Sequence, residues 1–285
     1  MYKILYNPLS SNGKSFKVVE KLCQKLKKEN KEFAILDITK IEDADAFIKE
    51  LDEKDEAIIL GGDGTIHRLA NRITPYFREN KIKNKIYLYR AGTGNDFSRD
   101  VKKEAKDNMI YLNDHLTYLP SVEFNGKERY FVNGVGLGID ALICQMVNET
   151  DKKTKFNYFK NVLKSLKNYK KTTVRIVVDG KEYVYKKALF ASIMHGRYFG
   201  GGMKITPGQK RDTDELTVIV INRLAKALLA PILPTVFIGA HVIFPVVHTF
   251  KGKNIEVHFE DEKYLQLDGE VEENIKSIRA YKKPL

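Results

Sequence analysis

Residues 57–67 read AIILGGDGTIH. A four-residue apolar run of buried-strand character meets two glycines, an aspartate and a third glycine. A helical stretch, Ile66–Phe77, then begins. Glycines at such a junction let the backbone approach a ligand closely, and successive N–H groups at a helix N-terminus bind phosphate. A carboxylate inside the loop repels phosphate unless a cation lies between them, so Asp63 points to a bound magnesium ion. The same residues would also serve a plain, tight strand-to-helix turn.

Two further loops decide between these readings. Ile86–Tyr89 is a strand followed by Gly92-Thr93-Gly94-Asn95-Asp96, and Lys3–Tyr6 is a strand followed by Asn7-Pro8-Leu9-Ser10-Ser11. Between them lie a helix at Ser15–Lys28 with Phe16, Val19, Leu22, Cys23 and Leu26 on one face, a strand at Glu32–Leu36 and a helix at Ala44–Leu51. This alternation implies a parallel sheet with helices on its faces, in which loops at the carboxyl ends of the strands bind ligands. Three polar loops on one sheet edge favour a nucleotide site. The stretch Asn12-Gly13-Lys14-Ser15 ends like a P-loop, but Pro8 stands where its first glycine belongs, and no G-x-G-x-x-G follows the first strand.

Beyond about residue 120 the pattern becomes mainly antiparallel. Thr173–Val178 and Glu182–Tyr185 flank Asp179-Gly180, a hairpin signal because Asp-Gly accepts the positive φ of a type I′ turn. Leu216–Ile221, Ile255–Phe259 and Tyr264–Leu267 are further strands, and Ser277–Tyr281 could return to the first domain. The expected division is therefore 1–120 and 121–276, with 277–285 rejoining the first. Leu224–Val247 is apolar enough to suggest a membrane span, but Pro231, Pro234 and Pro245 should break it into short helices covering a sheet. Asp151–Lys171 draws as an amphipathic helix with Phe156, Phe159, Leu163 and Leu166 on one face. Lys160, Lys164, Lys167 and Lys171 form a stripe that is either a solvated face or suited to an anionic membrane surface.

Composition narrows the partners. With 285 residues, 43% hydrophobic and 30% charged, the chain reads as globular, and its net charge of +12 favours something negative. The N-terminus lacks the apolar stretch of a secretory signal, and Cys23 and Cys144 have no metal-type spacing and look like core residues. Both features fit a cytoplasmic, reducing setting. The six histidines form no zinc pattern. His67, next to the GGDGT loop, is a candidate for the lining of the nucleotide pocket, whereas His195 is not assigned. The scattered aromatic residues form no nucleic-acid platform, so no nucleic acid is expected.

The ordered set of motifs resembles the catalytic region of the diacylglycerol kinase and sphingosine kinase family, especially its soluble bacterial members, over nearly the whole chain. It comprises N-P-x-S from Asn7, GGDGT at Gly61–Thr65, G-T-x-N-D-F at Gly92–Phe97 and the glycine-rich run Val132–Ala141. Gly200-Gly201-Gly202-Met203 with Pro207, and Asp268-Gly269-Glu270, complete it. The resemblance implies an α/β domain with a parallel sheet, a mainly antiparallel β-sandwich domain and an ATP cleft between them. By motif match, Asn7, Pro8, Leu9, Ser10 and Ser11, then Gly61, Gly62, Asp63, Gly64, Thr65, Ile66 and His67, and Thr93, hold the nucleotide. Thr39 joins them after the second strand. Asp268-Gly269-Glu270 supplies the catalytic carboxylates, with Glu270 taking the acceptor's proton and Asp268 organising the site.

The implied activity is transfer of a phosphoryl group from ATP, with Mg2+, to a lipid hydroxyl, most often that of diacylglycerol. The enzyme would be cytoplasmic, peripherally bound to an anionic membrane, and could form a homodimer. There is a departure. The family carries Pro and then Asp-Asp-Gly, its second aspartate near a structural magnesium ion. Here that aspartate falls on Thr213 and the glycine on Asp214, so either Asp212 or Asp214 substitutes or this metal site is absent. Other acceptors stay open, namely a sphingoid base, another long-chain alcohol, or NAD, since NAD kinase and phosphofructokinase share GGDGT. So does a nucleotide- or lipid-binding protein without catalysis. The G-T-x-N-D-F loop and the late DGE motif argue against a soluble acceptor.

Overall fold

The structure is a computed structural model, and the description covers residues 1–8, 14–40, 46, 51–92, 94–148 and 169–282. The chain divides into two compact units, Met1–Leu119 and a second that begins at Pro120. In the first, β1 (Tyr2–Tyr6), α1 (Lys14–Lys28), β2 (Phe33–Asp37), β3 (Glu56–Gly61), α2 (Asp63–Arg78) and β4 (Ile86–Arg90) alternate. The short α3 (Asp96–Asp100), β5 (Met109–Tyr111) and α4 (Asn113–Thr117) follow. The sheet runs β2-β1-β3-β4-β5, with the first four strands parallel and β5 antiparallel to β4.

Ile58, Ile59 and Leu60 are all at most 1% exposed, so β3 is covered on both faces and its sequence runs apolar rather than alternating. The apolar stripe of α1 lays Val19, Leu22 and Leu26 against Ile4, Ile58 and Leu60. Phe16, expected on that stripe, is exposed instead. The helix expected at Ala44–Leu51 lies almost wholly outside the described residues. The parallel register sets Tyr6 level with Asp37 and Leu60, and Leu60 level with Tyr89. The loops leaving these strands therefore emerge on one edge.

The second unit holds β6 (Ser121–Phe124), β7 (Lys127–Tyr130), β8 (Gly134–Gly138), α5 (Ile139–Asn148), β9 (Thr172–Val178) and β10 (Lys181–Met194). It continues with β11 (Leu216–Asn222), α6 (Lys226–Ile238), β12 (Val247–Gly252), β13 (Asn254–Leu267) and β14 (Glu270–Tyr281). All strand pairs are antiparallel. The long strands β10 and β13 each pair with β9 along one half and with β8 along the other. A bulge in β10, where Lys187 takes φ 56°, lets that strand change direction. The sheet thus bends around a core that includes Val135, Leu137, Ile176, Ile193, Val218, Val257 and Leu265.

Asp179 (φ 47°) and Gly180 (φ 84°) make the expected β9–β10 turn. Two expectations are corrected here. Ile255–Phe259 and Tyr264–Leu267 are one irregular strand, and Ser277–Tyr281 does not return to the first sheet but ends β14, paired with β13 and β6.

The apolar segment is corrected too. Pro231 and Pro234 sit inside a single continuous helix, α6. Both prolines are on its exposed side, where water can bond the carbonyls one turn back that they leave unpaired. Gly239, at φ 79°, caps its C-terminus. Among the described residues no helix is long and apolar enough to cross a membrane. The lysine-striped segment Asp151–Lys171 lies outside the described residues through residue 168. Its last lysine, Lys171, donates to the Leu224 carbonyl at 2.6 Å rather than standing in solvent.

Candidate functional site

The GGDGT and GTGND loops are fastened to each other. Both oxygens of the Asp63 carboxylate accept backbone N–H bonds from the start of α3, Oδ2 from Asp96 at 2.9 Å and Oδ1 from Phe97 at 2.8 Å. The Asp63 carboxylate thereby acts as a helix cap supplied from another loop. Beneath the cap the loops meet backbone to backbone. A Cβ on Gly62 would lie 2.9 Å from the Gly92 Cα, and one on Gly92 would lie 2.6 Å from the Gly62 Cα. Asn95, in the left-handed region at φ 52°, closes the second loop by donating its side-chain amide to the Gly92 carbonyl.

Gly61–Thr65 and the residues after β1, β2 and β4 share the carboxyl edge of the sheet. Asn7 and Pro8 lie there. So does Thr39, whose hydroxyl and N–H both donate to Asp37 Oδ1, at 2.7 and 3.0 Å, and hold that carboxyl below the usual carboxylate range. Leu9, Ser10, Ser11 and Thr93 lie outside the described residues. Ile66 and His67 are each 1% exposed, so their side chains belong to the interior and not to the open edge. At Gly64 a Cβ would meet nothing within 4 Å, which leaves the first turn of α2 open to a ligand.

In the second unit, Asp268 and Glu270 share the β13–β14 turn. Asp268 adopts φ 49°, and its carboxylate accepts three backbone N–H bonds, from Val132 (2.5 Å), Asn133 (2.7 Å) and Gly134 (3.1 Å). Its own N–H returns to the Gly134 carbonyl at 3.1 Å. Asp268 is thereby consumed in fixing the loop before β8. Glu270 opens β14, is 41% exposed, and meets Arg129 at 3.1 Å. The Cys144 thiol donates to the Gly269 carbonyl at 3.2 Å, so this cysteine abuts the turn rather than filling core.

The same loop is gripped from its other side. Arg211 donates to the Val132 carbonyl and to the Asn133 side-chain oxygen, both at 2.6 Å, and the N–H groups of His195 and Gly196 bond the Asn133 carbonyl. Arg211 begins the segment in which the metal ligands Asp212 or Asp214 were expected. There the Lys282 ammonium donates to the carbonyls of Arg211 (2.9 Å) and Thr213 (2.5 Å), while Asp214 turns outward to Lys253 at 3.4 Å. The turn's inward oxygens therefore face a lysine, and as arranged they do not suit a divalent ion. Among the described residues no group of three or more His, Cys, Asp or Glu could hold a metal. Burial pulls the Lys282 pKa down to about 8, and Asp214 opposes this.

Behind the turn lies Asp140, at the start of α5. It is half-buried and accepts the Ser192 hydroxyl at 2.8 Å. Burial raises its carboxyl to about 6, against the pull of Ser192. A Cβ on Gly136 would lie 2.0 Å from that carboxylate, which explains the glycine inside a fully buried strand. Gln266 accepts the Gly269 N–H of the Asp268–Glu270 turn at 3.3 Å.

Arg129, Arg211, Lys282 and Cys144 carry no short motif. Sequence reasoning missed them because only the sheet pairing and the Lys282 contact bring residues so distant in the chain together. The vacancy at Thr213, where the family has an aspartate, was the one available sign.

Comparison with known proteins agrees with this architecture. The diacylglycerol kinase catalytic domain matches residues 1–116, and the YegS C-terminal NAD kinase beta sandwich-like domain matches residues 133–279, just over half of the chain. The chain is 27% identical over 279 residues to a diacylglycerol kinase of Staphylococcus saprophyticus, covering 94% of this chain and 88% of that one. It is 25% identical over 267 residues to one of Mycobacterium tuberculosis, covering 89% and 83%. A crystal structure of a diacylglycerol kinase from Bacillus anthracis shares the fold, with a TM-score of 0.63 at 20% identity over 98% of this chain and 92% of that one. The two domain matches in sequence order, and relatives aligned along almost the full length, show that the chain belongs to the diacylglycerol kinase-like family of lipid kinases.

Proposed function

We propose that the protein transfers the γ-phosphoryl group of ATP to the hydroxyl of diacylglycerol, giving phosphatidate and ADP, at the face of a membrane in the cytoplasm. The loops after β1 to β4 would hold the nucleotide, with Asn7, Thr39, Thr93 and the first turn of α2 at Gly62–Thr65 about its phosphates. Magnesium carried on those phosphates would neutralise charge that builds during transfer. The Asp63 carboxylate is engaged by two amides, so its part is to hold the loops in place.

The observation that carries the reading is the Asp268 turn. Three amides on one carboxylate fix the turn rigidly, and Glu270 follows it, partly exposed and steadied by Arg129. In that position Glu270 takes the hydroxyl proton as the lipid oxygen bonds to phosphorus and the bond to ADP breaks. The test is transfer from labelled ATP to diacylglycerol, sphingosine, a long-chain alcohol and NAD. Label in phosphatidate is expected, and Glu270→Gln should abolish it, a loss on the order of 100-fold or more, with ATP affinity unchanged. Label only in NAD would overturn the lipid assignment. Near wild-type turnover in Glu270→Gln would remove Glu270 from the proton-transfer role.

A further inference from the structure

The helix α6 has an apolar surface on both sides. Its inner side packs Ile232 and Val236 with Ile219, Ile221 and Val247. Among its described side chains the exposed ones are Leu228, Pro231, Pro234, Phe237 and Ile238, an apolar stripe mostly at steps of three. Phe237 is 51% exposed, Ile238 72%, and Ile243 in the following turn 77%. A helix that meets only water carries charge on such a face, and a contiguous exposed apolar surface marks a place of contact. The tip is anchored as well. Gly239 ends the helix, and His241 is fully buried with its ring nitrogen 3.0 Å from the Ile205 carbonyl.

Along the chain around the helix the charges are of one sign. From Leu216 to Ile255 the chain contains Arg223, Lys226, Lys251 and Lys253 and no Asp or Glu. Arg223 and Lys187 are both exposed, and the Arg223 N–H bonds the Lys187 carbonyl at 3.0 Å just before the helix begins. At the other end, Lys204 Cδ lies 3.1 Å from where a Cβ on Gly239 would sit. An apolar stripe with cations at both ends matches a bilayer containing anionic lipid. A second copy of the chain would set these cations against themselves.

We propose that the outer face of α6, with Ile243, is the surface by which this protein docks on an anionic bilayer. Its apolar side chains enter the acyl boundary while Lys187, Arg223 and Lys204 meet headgroup phosphates. The purpose of the contact, access to lipid, rests on the lipid-kinase reading, whereas its geometry does not.

The chain has no tryptophan, so Ile238→Trp places a single reporter on the stripe. With phosphatidylcholine–phosphatidylglycerol vesicles its emission should shift to the blue and be quenched by brominated lipid, less so as salt rises. An unshifted emission with vesicles that do bind the protein would overturn the proposal. The triple variant Phe237→Ser/Ile238→Ser/Ile243→Ser should keep its melting temperature and lose about tenfold or more in vesicle partition. Equal partition would overturn the proposal, as would a dimer that dissociates in this variant while vesicle binding persists. Stripe-dependent partition in a protein that phosphorylates no lipid would support the surface and refute the lipid-kinase reading, so the two fail separately.

Discussion

Replacing Asp63 with asparagine should uncouple the two glycine loops. The carboxylate accepts one N–H bond on each oxygen, from Asp96 and Phe97. Asparagine keeps one acceptor and turns an amide NH2 toward the other N–H, so one bond is lost and a donor faces a donor. Hydrogen bonds to charged acceptors contribute about 1.5–3 kcal/mol each, and the remaining bond also loses its charge assistance. The side chains behind these amides are 4% and 1% exposed, which limits repair by water. The expected loss is about 2–3 kcal/mol, corresponding to a fall of roughly 6–15 °C in the melting of a unit of this size. Thermal melts combined with hydrogen exchange at Asp96 and Phe97 would read it, and both amides should lose protection. If melting and protection stay unchanged while lost activity returns at high magnesium, the carboxylate serves a metal and the capping argument is refuted.

Gly92→Ala puts a methyl group 2.6 Å from the Gly62 Cα, a contact between backbones that cannot relax cheaply. A destabilisation of about 1–3 kcal/mol in denaturant titration is expected, together with weakened ATP binding by calorimetry. Asp140 gives a pH signature. Its folded pKa is raised, so its contribution to stability is fully present below the unfolded value of 3.8 and is lost as pH rises through about 6, an effect of about 3 kcal/mol. Asp140→Asn should flatten that part of the stability profile between pH 4 and 7, as urea titrations at several pH values would show. Lys282→Met removes the donor to two carbonyls and should cost about 2–4 kcal/mol. Turnover should fall with it, because Arg211 positions the loop that Asp268 grips. Treatment with EDTA should leave the melting temperature of the wild-type protein unchanged.

Elements whose local chemistry and tertiary role coincide were legible in the sequence. AIIL reads as a doubly buried strand because nothing but apolar side chains fits between two helical layers, and Asp179-Gly180 reads as a hairpin because its φ angles demand it. Gly134–Gly138 was legible as a motif but not as a strand. Its glycines are poor strand formers; Gly136 makes room for Asp140 and Ser192, and Gly134 for Met194. The prolines of α6 misled because their cost depends on which side of the helix faces outward, and periodicity cannot show that when both sides are apolar. At the site, Asp63 and Asp268 stood out in the sequence but their partners did not. Both carboxylates bond backbone amides, and an amide leaves no mark in a sequence.

The ammonium at the Arg211–Thr213 turn differs from a bound ion in having no dissociation constant. It is delivered by the same chain at a fixed effective concentration, so starvation for divalent ions, or competition among them, cannot strip it. Its vulnerability is positional instead. Lys282 lies just beyond the last residue of β14, and fraying of that strand end would remove the cation. Through Arg211 and Asn133, the order of the residue after β14 then bears on the order of the turn that carries Glu270. A change just after β14 would reach the Asp268–Glu270 turn without touching any motif.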